Sequence, residues 1–150
     1  FGRGITPPLS DLYDYWNAKR GTQPMPRRRD IDPVEMKRWL GNLALVRVLD
    51  GGADIRYDVF GVALVNMLGF DLTGRTLKDL GPQVRPHVLA NYQTVCRTGR
   101  PLLTRNRLAI NHEFRRLDTL ALPLSDDGIG VTRVLSGIYP ALGGDARSEE

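Results

Sequence analysis

Side chains that could carry out chemistry are few in this 150-residue sequence, and three carboxylates lie close together at Asp30, Asp32 and Glu35. Such a group can hold a metal ion or form an acid–base pair. However, the tetrapeptide DPVE at 32–35 also has the spacing of a helix capping box, with proline at the first helical position. Because capping uses two of the three carboxylates, the segment predicts a helix that runs to about Leu40, and it argues against catalysis.

Histidine, cysteine and serine are the other groups that could bind or transform a ligand. The two histidines, His87 and His112, have no cysteine or carboxylate at ligand spacing, which argues against a zinc site. The single cysteine, Cys96, lies on the apolar stripe of a predicted helix, where we expect an inert buried thiol. The sequence has no GxSxG motif, no HExxH motif and no glycine-rich phosphate loop. We therefore expect neither enzyme activity nor a metal site.

The composition is that of an ordinary soluble globular protein, with 41% hydrophobic and 25% charged residues. No apolar run approaches the roughly 20 residues that a membrane helix needs. The lone cysteine fits a reducing compartment, so we expect a cytoplasmic protein. The net charge is +4, but the one dense basic run, at 27–29, is followed directly by Asp30 and Asp32. This pattern is weak support for nucleic-acid binding, which we do not expect.

Periodicity and turn residues indicate the elements that must position these groups. A helix over 9–20 is predicted, ending before Gly21. Its apolar stripe consists of Leu9, Leu12, Tyr13 and Trp16. Residues 22–29, with two prolines, should form a connector. Strands are expected near 43–49, 54–60, 101–110, 114–123 and 130–139, and helices over 62–68, 76–80 and 86–98.

The stretch 54–80, DIRYDVFGVALVNMLGFDLTGRTLKDL, resembles the first half of a PAS domain. A finer resemblance is to a bacterial family of compact single-domain PAS proteins with a helical N-terminal extension. The other matching pieces are LYDYWNAKRGTQPMPRRRDIDP, LGNLALVRV, RTGRP and LALPLSDDG. The resemblance implies an α+β fold with a five-stranded antiparallel sheet, flanking helices and a role in signalling rather than catalysis. We expect a helical extension over 1–41, a PAS core over 42–140 and a flexible tail over 141–150.

Two functions remain open under this resemblance. The first is a sensory module with a small-ligand cavity between the sheet and the helices. The second is a protein–protein adaptor whose core is filled by side chains. The residues expected to line a cavity, or else to belong to the core, are Tyr57, Val59, Val65, Leu68, Leu77, Leu89 and Tyr92.

The cofactors of PAS proteins can be compared with this sequence residue by residue. A flavin photoreceptor of this fold needs a reactive cysteine in the short helix after the glycine, and the segment 74–80 has none. Haem-binding members place the axial histidine on the long helix, but His87 lies in the first turn of that helix, beside Pro86. We expect His112 to lie exposed in a hairpin turn. Flavin-adduct and haem chemistry are therefore not expected, and the cofactor stays unknown.

The N-terminal helix suggests how the module assembles. Its stripe of Leu9, Leu12, Tyr13 and Trp16 is too apolar to remain in water, so we predict a homodimer, or a signalling partner, that packs on this stripe. The alternative is a monomer in which the helix packs on its own domain. In either case Trp16 and Trp39 should be buried, because large aromatic side chains dominate packing energies.

Overall fold

The computed structural model describes residues 5–110 and 113–141, so predictions that fall on His112 and on 142–150 lie outside the described residues. The described strands are β1 (Leu43–Leu49), β2 (Asp54–Phe60), β3 (Leu102–Ile110), β4 (Glu113–Leu124) and β5 (Arg133–Pro140). The described α-helices are α1 (Pro7–Arg20), α2 (Val62–Leu68) and α3 (Arg85–Thr98). Among these helices, none combines the length and the apolar character that a membrane span requires.

The strands form one antiparallel sheet in the order β2-β1-β5-β4-β3, which confirms the predicted architecture. The predicted limits of β1 and β2 are also confirmed. β5 begins three residues later than predicted, because side chains close the preceding turn. The Asp127 carboxylate accepts the backbone N–H groups of Ile129 (2.8 Å) and Gly130 (3.1 Å), and the Thr132 hydroxyl accepts that of Asp126 (2.9 Å).

One face of the sheet is covered by α2, α3 and the short 3₁₀-helix Leu77–Asp79. Their apolar side chains and those of the sheet form the helix-side core. Its buried members are Ala44, Val46, Ile55, Tyr57, Phe60, Leu64, Leu72, Leu77, Leu80, Tyr92, Val95, Ala121 and Val134. Glycines in the left-handed region end both helices, Gly69 after α2 and Gly99 after α3.

The opposite face of the sheet is covered by the N-terminal flank, which we define as α1 with residues 22–42. The apolar side chains of the flank and of this face of the sheet form the flank-side core. The sheet contributes Leu43, Leu45, Leu120, Leu122, Leu124 and Leu135, and the flank contributes Leu9, Leu12, Trp16, Ile31, Met36 and Trp39. A Cβ atom on Gly137 of β5 would lie 2.7 Å from Leu12 Cδ2 and 2.8 Å from Leu9 Cδ2. This glycine therefore lets α1 pack close to the sheet.

The α1 stripe packs on its own sheet, which is the predicted alternative to a dimer surface, and the homodimer itself stays a prediction. Leu9, Leu12 and Trp16 are buried, and Tyr13 is partly buried in the same cluster. Trp16 and Trp39 are each only 3% exposed, so the prediction that both are buried is confirmed. The Trp16 indole N–H donates to the Pro123 carbonyl oxygen at 2.9 Å.

The predicted helix over 33–40 is also wrong. Residues 33–39 form successive turns, and a 3₁₀-helix follows over Leu40–Asn42. The Asp32 carboxylate does accept the Val34 N–H (2.9 Å), but Glu35 does not complete a capping box. Instead its carboxylate accepts the Tyr15 hydroxyl (2.7 Å) and pairs with Lys19 (2.9 Å), both on α1. Contacts with α1 thus replace the local capping contact.

Replacing Leu12 by alanine tests how far the fold depends on the flank-side core. Leu12 is fully buried, so Leu12→Ala should lower the free energy of unfolding by about 2–5 kcal/mol through lost burial and a cavity. Urea denaturation followed by tryptophan fluorescence measures the change. Asn17→Ala on the exposed side of the same helix is the control and should change stability by less than about 0.5 kcal/mol. Equal effects of the two variants would contradict this account of the flank.

Candidate functional site

Six of the seven predicted cavity residues lie together in the helix-side core. Tyr57, Leu77 and Tyr92 are buried there. The partly buried residues that pack against them include Val65, Leu68 and Leu89. The structure thus brings together side chains from β2, α2, the 3₁₀-helix Leu77–Asp79 and α3.

Val59, the seventh predicted residue, is on the wrong face of the sheet because β2 contains a β-bulge. Leu45 pairs with Val59, whereas the next residue of β1 pairs with Tyr57, so Asp58 is an extra residue in the ladder. An extra residue shifts the alternation of side chains by one position. Val59 is 41% exposed, and Phe60 takes its place in the helix-side core. The prediction that Val59 lines a cavity is therefore wrong.

A cluster of hydroxyls occupies the middle of the helix-side core. The Tyr92 hydroxyl, on α3, lies close enough to the hydroxyls of Tyr57 on β2 and Ser136 on β5 for them to influence its pKa. All three residues are buried. Burial removes the phenols from water and raises the pKa of Tyr57 well above its usual value of about 10, and that of Tyr92 to a lesser degree. Both tyrosines are therefore neutral at physiological pH.

On the face of the sheet that these tyrosines cover, small side chains form a row across three strands. Ser136 pairs with Ala44 of β1 on one side and with Ala121 of β4 on the other, so the three residues cross the centre of the sheet. Small residues leave room above the sheet, and the rings of Tyr57 and Tyr92 pack in the same core. Ser136 is not among the residues predicted from the sequence, where its signal was a polar residue inside a largely apolar strand.

Two open clefts lie elsewhere on the surface of the described residues. One, of about 430 Å³, is lined by Asn42, Ala63, Asn66, Met67, Glu113, Arg115 and Pro140. The other, of about 590 Å³, is lined by Asp11, Asp14, Tyr15, Glu35, Arg38 and Trp39. None of the seven predicted cavity residues lines either cleft.

The histidine and the cysteine that cofactor chemistry would need both lie on α3. His87 is exposed on the first turn of α3. Cys96 is half-buried on α3, and burial raises the pKa of its thiol, which lowers its reactivity. In the ranges 5–110 and 113–141, no cluster of three or more His, Cys, Asp or Glu side chains could hold a metal ion.

A buried charge, absent from the predicted site, connects the flank to the sheet. Asp118 of β4 is only 2% exposed. Its carboxylate pairs with the Arg105 guanidinium through two hydrogen bonds, of 2.6 Å and 3.0 Å. It also accepts the Thr6 hydroxyl, just before α1, at 2.9 Å. Burial alone would raise the pKa of Asp118, but the hydrogen bonds from Arg105 and Thr6 hold it below its usual value.

Known proteins share both the sequence pattern and the fold. A family model described as "PAS domain" matches residues 5–138. The PAS domain of BvgS from Bordetella pertussis aligns with a TM-score of 0.53 and 17% identity over 79% of this chain and 91% of that one. A LOV protein from Rhodobacter sphaeroides aligns with a TM-score of 0.54 and 16% identity over 79% of this chain and 73% of that one.

A third structure is that of Vibrio cholera VqmA in a complex with a ligand and DNA. It aligns with a TM-score of 0.52 and 13% identity over 71% of this chain and 49% of that one. At these identities the likeness extends to the fold alone. Among curated protein sequences, none matches the chain.

Substitutions at Tyr92 test the ring and the hydroxyl of this buried residue separately. Tyr92→Phe removes a hydroxyl that lies near those of Tyr57 and Ser136, and if the three interact in the core it should cost about 1–3 kcal/mol of unfolding free energy. Tyr92→Ala also removes the ring and should cost about 3–5 kcal/mol. Urea denaturation measures both changes, with Tyr139→Phe, partly buried on the other side of the sheet, as control. A Tyr92→Phe variant as stable as the native protein would show that the cluster of hydroxyls contributes nothing to stability.

The same tyrosines predict how stability depends on pH. Above about pH 10, tyrosines of the unfolded chain lose their protons, whereas Tyr57 and Tyr92 keep theirs in the folded protein. Because the unfolded state then binds fewer protons, the unfolding free energy should fall as pH rises. Tyr92→Phe removes one of the two groups, so its stability should fall less steeply. Urea midpoints at pH values on both sides of pH 10 measure the difference, and parallel curves would refute it.

Proposed function

The chain belongs to the PAS domain family, and we propose that it is a sensory or signalling module that acts by binding a partner protein, with an interior filled by its own side chains. PAS domains are generally sensory or signalling modules. The observation that carries the proposal is the position of Tyr92. Its ring lies buried over the centre of the sheet, where a ligand of this fold would need space.

Packing supports a filled interior. Tyr57 and Tyr92 are buried in the same cluster, and their hydroxyls lie near each other and near that of Ser136, so their side chains occupy the interior without a ligand. Phe60 and Leu77 are buried in the same cluster. A ligand would therefore have to displace well-packed side chains before it could bind.

The surface of the molecule leaves room for a partner protein. Both faces of the sheet are covered, one by α2 and α3 and the other by the N-terminal flank. The α1 stripe is no longer available for a homodimer unless the helix leaves the sheet. Partner binding must then use the sheet edges or the outer surfaces of the helices.

A second candidate function is small-ligand sensing, and one observation favours it. The small residues Ala44, Ser136 and Ala121 lie side by side at the centre of the sheet, so a ligand would have room above them if Tyr92 moved away.

Native mass spectrometry and an absorbance spectrum of the purified protein separate the two functions. A filled interior predicts the mass of the bare polypeptide and no absorbance beyond that of its aromatic residues. Tyr92→Ala incubated with indole is the positive control, because its new cavity should retain the compound. A non-covalent adduct on the native chain would contradict the filled interior and support ligand sensing.

A further inference from the structure

The two edges of the sheet are built differently. At the β2 edge, backbone groups are covered by the following loop. The Tyr57 N–H donates to Arg75 O (2.9 Å), and the Gly74 N–H donates to Tyr57 O (2.7 Å). At the β3 edge, no backbone partner lies on the outer side among the described residues. β3 contains no proline, and its nine residues pair with β4 without a register shift. A long, regular edge of this kind is a template for another strand.

The register identifies which backbone groups of β3 face outward. The carbonyl oxygens of Leu124 and Arg116 in β4 accept N–H groups from residues that adjoin β5. Backbone direction alternates along a strand, so the odd-numbered residues of β4 face β3. These residues pair with even-numbered residues of β3. It follows that Leu103, Arg105 and Arg107 direct their own N–H and C=O groups away from the sheet.

The side chains of the same residues give the edge its charge. Arg105 pairs with Asp118 but keeps 40% of its side chain exposed. The Arg107 guanidinium lies 4.5 Å from the ring centroid of Phe114, which is 54% exposed. Leu103 is 40% exposed. The edge therefore presents one apolar and two cationic side chains at alternate positions on the flank side of the sheet.

We propose that this edge binds an extended acidic segment of a partner protein as an added antiparallel strand. A residue opposite Arg105 or Arg107 in such a pair exchanges two backbone hydrogen bonds with it and has its side chain on the same face. The complementary segment reads acidic-x-acidic-x-apolar, opposite Arg107, Arg105 and Leu103 in turn. Strand addition with side-chain selection at alternate positions is an established mode of peptide recognition.

Charge disfavours a second copy of the chain in the register that would pair all nine residues of β3. Antiparallel pairing of two β3 strands centred on Asn106 would place Arg105 directly opposite Arg107. Like charges in opposite positions destabilise a strand pair. The proposal rests on the proposed function only in requiring a partner protein.

Fluorescence anisotropy with labelled peptides tests the proposal on the native protein. The peptide TETETLT should bind at least about tenfold more tightly than TKTKTLT, because two opposite-charge pairs become like-charge pairs. N-methylation of both glutamates should abolish binding, since their N–H groups face β3. N-methylation of the third and fifth residues of the peptide, both threonines, should leave binding unchanged, since their N–H groups face away from β3.

Variants of the protein locate the binding to this edge. Arg107→Glu should weaken binding of TETETLT by roughly tenfold and strengthen binding of TKTKTLT. Arg97→Glu, exposed on α3, makes the same change in net charge and should alter neither. Leu103→Pro removes an outward N–H, which an edge strand tolerates, and should reduce binding more than Leu103→Ala does. If Leu103→Pro does not fold, the N-methylated peptides still test the edge.

The outcomes that overturn the proposal are distinct. Binding that ignores the N-methylation pattern would show charge attraction without strand addition. If neither peptide binds, Arg105 and Arg107 serve only to protect the β3 edge from pairing with other strands. A dimer seen by light scattering and abolished by Arg107→Pro or Leu103→Pro would assign the edge to a second copy. A ligand adduct in the native mass spectrum would overturn the filled interior and would leave the edge measurements unaffected.

Discussion

The need to cover two apolar faces of one sheet determines the rest of this structure. β4 is buried almost continuously from Leu117 to Leu124, with alternate side chains entering the two cores. The helices α2 and α3 cover one face only. At roughly 1.5–3 kcal/mol for each large apolar side chain, leaving the leucines of the other face in water would cost more than a small domain can spare. The N-terminal flank provides the missing cover.

Because both faces of the sheet are covered, few parts of the sheet remain at which another protein could bind. A partner cannot pack on the sheet without displacing α1, whose buried side chains include Leu12 and Trp16. The β2 edge is occupied by residues 74–76. The β3 edge and the outer helix surfaces therefore remain as the parts of the described fold that can meet another protein.

Much of the fold could be predicted because its signals are local. Glycines and prolines at turns fixed the limits of β1, β2 and α2 within the sequence itself. Val59 was misplaced because the bulge at Asp58 arises from strand pairing and has no local signature. The capping box at 32–35 failed because Glu35 found partners on α1. Amphipathic spacing showed that α1 buries a stripe, but spacing cannot specify which surface covers it.

The buried carboxylate of Asp118 links the β3 edge of the sheet to the start of α1. It holds Arg105, on the β3 edge, and Thr6, at the start of α1, at the same time. Removing one partner of a buried charge is costly, because the remaining charge keeps little solvent to compensate. A change at Arg105 therefore acts on the hydrogen bond that fixes the first turn of α1. The edge of the sheet and the N-terminal flank that covers one of its faces are therefore coupled through one side chain.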